Sequence, residues 1–305
     1  MKPKFIMMVG LPGSGKSYYS NIYKNSFNAV VHASDDIRAE LFGSVQNQQQ
    51  NDKVFSTLHS RVVSDLKDGK NVIYDATNIN YKRRKSFLDR NLHNIDCEKI
   101  CVFVATPYEK CLENNQNRVA VVPQFVIDKM YKTFYVPQYY EGWDKITIEY
   151  GGFGGYRSWY SIYEIFGDKD GLNSISQDNP HHTLTIGEHC SKCAEEVEKL
   201  KEHDPVLSLA ALFHDIGKKF TKSFKNSKNE ITDVAHYYQH ENVSAYMSVF
   251  FASDYTSTDF TLAVAKYIQF HMRLFDNNNE KLIDLLGIDA YNDLLLLHEA
   301  DLATK

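Results

Sequence analysis

Five short apolar runs recur through the first 150 residues, at positions 5–9, 29–33, 72–74, 100–105 and 146–148, with segments of helix length between them. Continuous apolar runs, rather than strict alternation, are what strands covered on both faces require. Their alternation with helices predicts a parallel α/β sheet, which binds ligands beyond the C-terminal ends of its strands. After residue 150 the pattern changes. Gly151-Gly152-Phe153-Gly154-Gly155-Tyr156 and the Tyr- and Trp-rich stretch to Phe166 fit neither a helix face nor a solvated linker. They predict a hairpin or irregular packing segment between domains, in preference to a base-stacking platform for Trp159 or Tyr160. From residue 181 apolar residues return at helical spacing, predicting successive helices. The reading is an α/β domain over 1–150, a junction over 151–178 and an all-α domain over 179–305.

Composition narrows this only a little. A chain of 305 residues with 43% hydrophobic and 24% charged residues suits two soluble globular domains. No apolar run approaches the ~20 residues that span a bilayer, and no signal-peptide core opens the chain, so a cytoplasmic protein without a membrane partner is expected. Five cysteines without a framework spacing fit that compartment. Cys190-x-x-Cys193 has no second pair to complete a zinc site and reads as structural. Charge is uneven: residues 1–150 carry 20 Lys and Arg against 16 Asp and Glu, residues 151–305 carry 14 against 23. A mildly basic first half admits a polyanionic substrate, and an acidic, histidine-rich second half suggests cation binding.

The first apolar run leads into Gly10-Leu11-Pro12-Gly13-Ser14-Gly15-Lys16-Ser17, which matches G-x-x-x-x-G-K-[ST] between a strand and a helix. Gly13, Ser14 and Gly15 would turn backbone N–H groups around phosphate oxygens, and the helix from Lys16 would add its positive end. Lys16 would reach the β- and γ-phosphates and Ser17 would ligand Mg²⁺, so ATP and Mg²⁺ are expected. The second run continues into Ser34-Asp35-Asp36-Ile37-Arg38. This sets Asp35 on the phosphate-loop edge to take a proton from an attacking hydroxyl, with Arg38 to hold a phosphate and Asp36 as helix N-cap. The third run ends in Asp75-Ala76-Thr77-Asn78, followed by Lys82-Arg83-Arg84-Lys85; Asp75 could hold the Mg²⁺ shell or fix the acceptor, and the basic cluster could contact a polynucleotide backbone. A helix from Thr106-Pro107 ends in Asn114-Asn115-Gln116-Asn117-Arg118, and another is expected over 124–134. The break between them is a lid that would carry Arg118 over the transferring phosphoryl group.

Taken together, GLPGSGKS, SDDIR, YDATNINYKRR and NRVAVVP-x3-IDKMY resemble the 5′-polynucleotide kinases of phage and bacterial nucleic-acid repair, over about residues 1–150. The resemblance implies Asp35 as general base for a 5′-OH, Arg38 on the acceptor phosphate, Lys16 and Arg118 as phosphate and transition-state stabilisers, and Ser17 on the metal. Asn114 departs from the family, which often carries another basic residue there.

In the second half histidines stand at particular points: His181-His182 and His189, His214-Asp215-Ile216-Gly217-Lys218, His236 and His240, His271, and His298 near Asp301. Imidazole and carboxylate ligands converging from separate helices can hold one or two divalent cations, and Asp215 could bridge two. T-I-G-E-H, H-D-I-G-K-x2-T, H-x3-H-E-x2-S-A, a later His and a final A-D resemble the HD phosphohydrolase superfamily over about 180–305. That resemblance implies His189, His214, Asp215, His240, His271 and Asp301 as ligands to one or two transition metals such as Mn²⁺, Fe²⁺, Ni²⁺ or Zn²⁺. Lys218 and His182 would touch substrate phosphate. His240 and His271 distinguish dinuclear members; the site is mononuclear if either only packs.

The two resemblances imply a bifunctional end-healing enzyme: ATP-dependent phosphorylation of 5′-OH ends, and metal-dependent removal of a 3′-phosphate or 2′,3′-cyclic phosphate. RNA is favoured over DNA, because nucleolytic RNA breaks leave those ends, and a ligase would follow. The alternative is a small-molecule nucleoside or nucleotide kinase fused to a nucleotidase or cyclic-nucleotide phosphodiesterase. A non-catalytic NTP-dependent switch would not need Lys16, Asp35 and six ligand residues together.

Overall fold

The computed structural model describes residues 2–47, 49–118, 120–151, 162–180, 183–251, 257–275 and 279–304. Trp159, Tyr160, His181 and His182 lie outside the described residues. The chain divides into two compact units, Met1–Met130 with Pro137–Gly155, and Tyr131–Val136 with Tyr156–Lys305. Among the described residues no helix is long and apolar enough to cross a membrane.

In the first unit β1 (Lys4–Val9), β2 (Val30–Ala33), β3 (Val72–Asp75), β4 (Glu98–Ala105) and β5 (Lys145–Tyr150) form one parallel sheet in the order β2-β3-β1-β4-β5. These are the five apolar runs. The helices are α1 (Lys16–Phe27), α2 (Ser34–Phe42), α3 (Asn51–Lys67), α4 (Tyr81–Asn91), α5 (Tyr108–Gln116) and α6 (Gln124–Lys132). Residues Phe5 to Val9 are buried on both faces of the sheet, which explains why β1 is apolar throughout rather than alternating. The chain leaves β1 toward β2 and β3 and later returns on the other side as β4, so Gly10 emerges at a topological switch point where α/β sheets bind ligands.

Two expectations for this unit are corrected. Helix α2 begins at Ser34 with Ala33 as its N-cap and no side-chain cap bond, so Asp36 is not the cap. Asp35 and Asp36 occupy the first turn, where the helix dipole favours carboxylates. Nor is the Lys82–Lys85 cluster one basic face. Arg84 is 1% exposed. Its Nε and a terminal amine donate to Glu141 at 2.7 and 2.6 Å, and the other amine donates to the Asn78 carbonyl at 2.8 Å. Glu141 also accepts from Trp143 Nε1 at 3.0 Å. A fully buried pair is costly to form but costlier to break, since one partner alone is an uncompensated interior charge. Glu141→Gln is therefore expected to destabilise this unit by about 3–5 kcal/mol, read as a shift in urea unfolding followed by tryptophan fluorescence. A shift under about 1 kcal/mol, the range of exposed pairs, would mean the pair is solvated.

The second unit contains α7 (Ile162–Phe166), α8 (Ile186–Leu200), α9 (Pro205–Phe213), α10 (Lys218–Thr221), α11 (His240–Phe251), α12 (Thr258–Phe270), α13 (Asn279–Leu286) and α14 (Ile288–Ala303). Helix α8 packs on α9 and α14, and α11 on α12. It is not entirely helical. Strands β6 (Ser223–Lys225) and β7 (Ile231–His236) pair antiparallel. Asn226 accepts from the Lys228 and Glu230 N–H groups, and Asn229 takes φ 65°, the turn chemistry that makes Asn a hairpin residue. The helix expected over 124–134 stops at Lys132; residues beyond it run as a strap within the second unit.

Candidate active sites

The phosphate loop is held open by its neighbours. Gly13 (φ 81°) and Gly15 (φ 92°) take left-handed angles, and a Cβ on Gly13 would stand 2.2 Å from the Cys111 carbonyl oxygen. Gly13 thus lets α5 lie against the loop. Asn114 Nδ2 donates to the Gly13 carbonyl at 2.9 Å and Thr106 Oγ1 to the Ser14 carbonyl at 2.8 Å. From the other side Gly10 N–H donates to the Thr77 carbonyl at 3.0 Å, and Asn78 Nδ2 to the Met8 carbonyl at 2.8 Å. The D-x-T-N stretch therefore supports the loop from behind through Thr77 and Asn78. Asn114, where a basic residue was the family's alternative, is a loop anchor.

Lys16 Nζ donates to the Gly10 and Leu11 carbonyls at 3.1 and 2.8 Å, and burial lowers its pKa against the opposing charge of Asp75. Ser17 is exposed at the start of α1. Asp75, 8% exposed at the end of β3, has its carboxyl raised by burial, with Lys16 pulling the other way. Asp35 is half exposed, with Arg38 at 2.8 Å on one oxygen and Arg118 at 3.6 Å from the other. Arg38 is 4% exposed, and its second amine donates to Asn51 at 2.8 Å. Its guanidinium thus joins the Asp35 carboxylate to the Asn51 amide. Arg118, about one third exposed, is the more accessible guanidinium, and Asn115 exchanges paired bonds with Val122 at 2.8 and 3.0 Å.

In the second unit all six presumptive ligands converge and are buried, none more than 8% exposed. Asp215 stands at the centre. Its Oδ2 lies 3.3 Å from both His189 Nε2 and His214 Nε2, and its Oδ1 3.0 Å from His240 Nε2 and 3.8 Å from His271 Nε2. Asp301 Oδ1 joins the first group, 3.2 Å from His189 Nε2. One carboxylate thus faces two ligand groups, His189, His214 and Asp301 on one side, His240 and His271 on the other.

Each histidine is oriented by its outer nitrogen. Nδ1 donates to the carbonyl three residues earlier in His214 (Ala211, 2.7 Å), His240 (Tyr237, 2.7 Å) and His271 (Ile268, 2.6 Å), and His189 Nδ1 donates to Thr304 (3.2 Å). A proton fixed on Nδ1 leaves a lone pair on Nε2. Those lone pairs face each other, His189 to His214 at 3.1 Å and His240 to His271 at 3.3 Å. Lone pairs opposed at that distance repel unless a cation or proton lies between them. The donor set, borderline nitrogens plus carboxylates, fits one or two divalent transition metals. Burial alone would raise Asp215, but His214, Lys218 and the bonds from His189 and His214 outweigh it and hold the carboxyl well below its usual range. Burial, with His214 and His240 nearby, pushes His271 down to about 3. Burial likewise opposes the charged form of His189, but its bonds to Asp215 and Asp301 prevail and raise it to about 9.

The motif letters resolve into packing reasons. Thr185 and Glu188 form a reciprocal capping box on α8, and Gly187 is there because a Cβ would meet Asn173 Oδ1 at 2.0 Å. Gly217 brings the turn after His214-Asp215 against α11: a Cβ would lie 2.5 Å from the His240 carbonyl oxygen, and its N–H donates to Ser244 Oγ at 2.8 Å. Lys218 Nζ meets Asp215 at 2.5 Å and Gln177 Oε1 at 2.8 Å, buried beside the Tyr237 ring. Sequence reading missed Gln177, Ser244 and Thr304. Ser244 sits inside a quoted motif; nothing local marks the other two. Cys190 and Cys193 are buried in α8 with thiols raised by burial, consistent with a structural role. His298 and His236 are not among the ligands that converge.

Against known proteins, residues 5–137 match the AAA domain and residues 181–297 the HD domain. An L-seryl-tRNA(Sec) kinase of Methanococcus maripaludis is 24% identical over 237 residues, 74% of this chain and 84% of that protein. Among solved structures, a chain of the Pnkp1/Rnl/Hen1 RNA repair complex is 23% identical over 43% of this chain, with a TM-score of 0.39. The chain spans less than half of that protein's length, 44%. Shikimate kinase from Acinetobacter baumannii is 18% identical over 49% of this chain and 86% of its own, with a TM-score of 0.35. The chain carries a P-loop kinase domain followed by an HD domain.

Proposed function

We propose that this chain heals nucleic-acid ends, RNA foremost, by phosphorylating 5′-OH ends and removing 3′-phosphate or 2′,3′-cyclic phosphate. What carries the reading is the pairing on one chain of an exposed carboxylate, Asp35, at a phosphate loop with a central carboxylate, Asp215, amid four oriented histidines. In the first unit Asp35 accepts the proton as the 5′ oxygen attacks the γ-phosphorus, and the bond to the β-phosphate bridging oxygen breaks to release ADP. Lys16 and Arg118 offset the charge on the transferring group, Arg118 exchanging its contact with Asp35 for the phosphoryl oxygens. Ser17, with Asp75 behind the loop, would hold Mg²⁺.

In the second unit His189, His214, Asp215, His240, His271 and Asp301 would hold the ions, with Asp215 shared. Divalent cations bound there supply Lewis-acid polarisation of a phosphoryl oxygen and lower the pKa of a water molecule. Lys218 offsets the charge on Asp215, and the Nδ1 bonds keep every imidazole aimed inward as charge builds. Opening a cyclic phosphate breaks one ester bond, a second hydrolysis releases phosphate, and a ligase would consume the resulting ends.

An acceptor panel tests this: an RNA oligonucleotide with 5′-OH and 2′,3′-cyclic ends, its DNA counterpart, a mononucleoside and a seryl-tRNA. The last is prompted by the Methanococcus relative. Phosphorylation of oligonucleotide ends at least about tenfold above the mononucleoside, with loss of the cyclic end, is expected. Preference for the mononucleoside would establish the nucleotide-metabolism alternative. Preference for seryl-tRNA would make the first unit an aminoacyl-RNA kinase.

A further inference from the structure

The six residues Tyr131–Val136, the last two of α6 and the four that follow it, belong to the helical unit. Two buried amides grip them. Gln269, 1% exposed, accepts from the Val136 N–H at 3.0 Å and donates to the Phe134 carbonyl at 2.9 Å, pairing with the strap as a neighbouring strand would. Its other N–H donates to Asn242 Oδ1 at 2.8 Å, and Asn242, 2% exposed, donates to the Lys132 carbonyl at 2.8 Å. Tyr131 and Phe134 then pack edge-on against Tyr246, with ring centroids 5.3 and 4.8 Å away.

The position of this grip is informative. Asn242 is two residues after His240 in the first turn of α11, and Gln269 two before His271 at the end of α12. Their bond ties together the ends of α11 and α12 that present His240 and His271, the pair facing Asp215 Oδ1. The opposite ligand group comes from α8, the end of α9 and α14. Burying two amides is tolerable only when their bonds are made, so the strap completes a network that fixes the spacing of one ligand pair and not the other.

We propose that Tyr131–Val136 is a positioning element for the second cation, holding His240 and His271 through Asn242 and Gln269, so that a stretch lying in sequence beside the kinase lid governs whether the HD centre is mononuclear or dinuclear. This rests on the reading that the His/Asp cluster binds divalent cations. Outer partners of this kind alter metal affinity by about 10–100-fold.

The test uses the full chain, with Mn²⁺ as probe and equilibrium dialysis plus electron paramagnetic resonance as readouts. Wild type is expected to bind two ions in the helical unit with an exchange-coupled signal. Gln269→Leu, which removes three bonds, and Asn242→Ala, which removes the bonds to Lys132 and Gln269, are expected to keep the first ion at wild-type affinity. They should weaken the second about 10–100-fold and lose the coupled signal, with phosphorylation unchanged. If Gln269→Leu does not fold, Asn242→Ala carries the result alone. Two ions bound at wild-type affinity by a folded variant of either kind, whatever its melting temperature, would overturn the strap's role. A wild type that binds fewer than two ions would instead remove the dinuclear reading itself.

Discussion

Asp215→Asn should lower hydrolysis of the 3′ end by more than about 100-fold, because replacing even the partners that orient a ligand costs about 10–100-fold. The reason is geometric. Asp215 lies within 4 Å of His189, His214, His240, His271 and Lys218 at once. Asparagine keeps the shape and one oxygen for Lys218, so the buried ammonium retains an acceptor and the unit keeps its fold. It removes the charge and one of the two oxygens that serve the two ligand groups. Metal content measured on the purified variant should fall toward zero, while 5′ phosphorylation stays at the wild-type rate. Full hydrolysis with full metal content would show that Asp215 only packs.

Asp35→Asn should have the complementary effect. Kinase turnover should drop by about 10²–10⁴-fold, the usual contribution of a positioned general base, with hydrolysis of the 3′ end unchanged. Asparagine is preferable to alanine here as well. Arg38 is almost fully buried and spends one amine on Asp35, so alanine would leave a guanidinium donor without its partner and confound chemistry with stability. Initial rates of label transfer from γ-labelled ATP, compared with the unfolding midpoint of the same variant, check the result. Activity within about threefold of wild type, far below a base's contribution, would exclude Asp35 as base and turn attention to Asp75, whose carboxyl is raised by burial.

Gly10 to Ser17, the five apolar runs and the ordered His/Asp series are local patterns. Strand burial follows from continuous apolar runs, and loop conformation from glycine placement, so the succession of a sheet domain and a helical domain could be read from the chain alone, and the six residues that converge are the ones the HD resemblance implied. Direction and partnership could not be read that way. Arg84 read, beside Arg83, as part of a basic cluster for a polynucleotide backbone, and only the fold brings Glu141, 57 residues away, into its fork. Arg38 is held by Asn51, thirteen residues away, as well as by Asp35 in its own helix. The hairpin of β6 and β7 was hidden because its strands are short and polar. Asn242, Gln269 and Thr304 act through backbone groups, which every residue has, so no sequence signal marks their partners. What the sequence determined by itself was which chemical groups the chain owns and which stretches are buried, because both depend on residue type and near-neighbour spacing. What only the tertiary structure decided was which lone pairs, charges and amides meet, because hydrogen bonds and ion pairs between distant segments depend on packing that no local window contains.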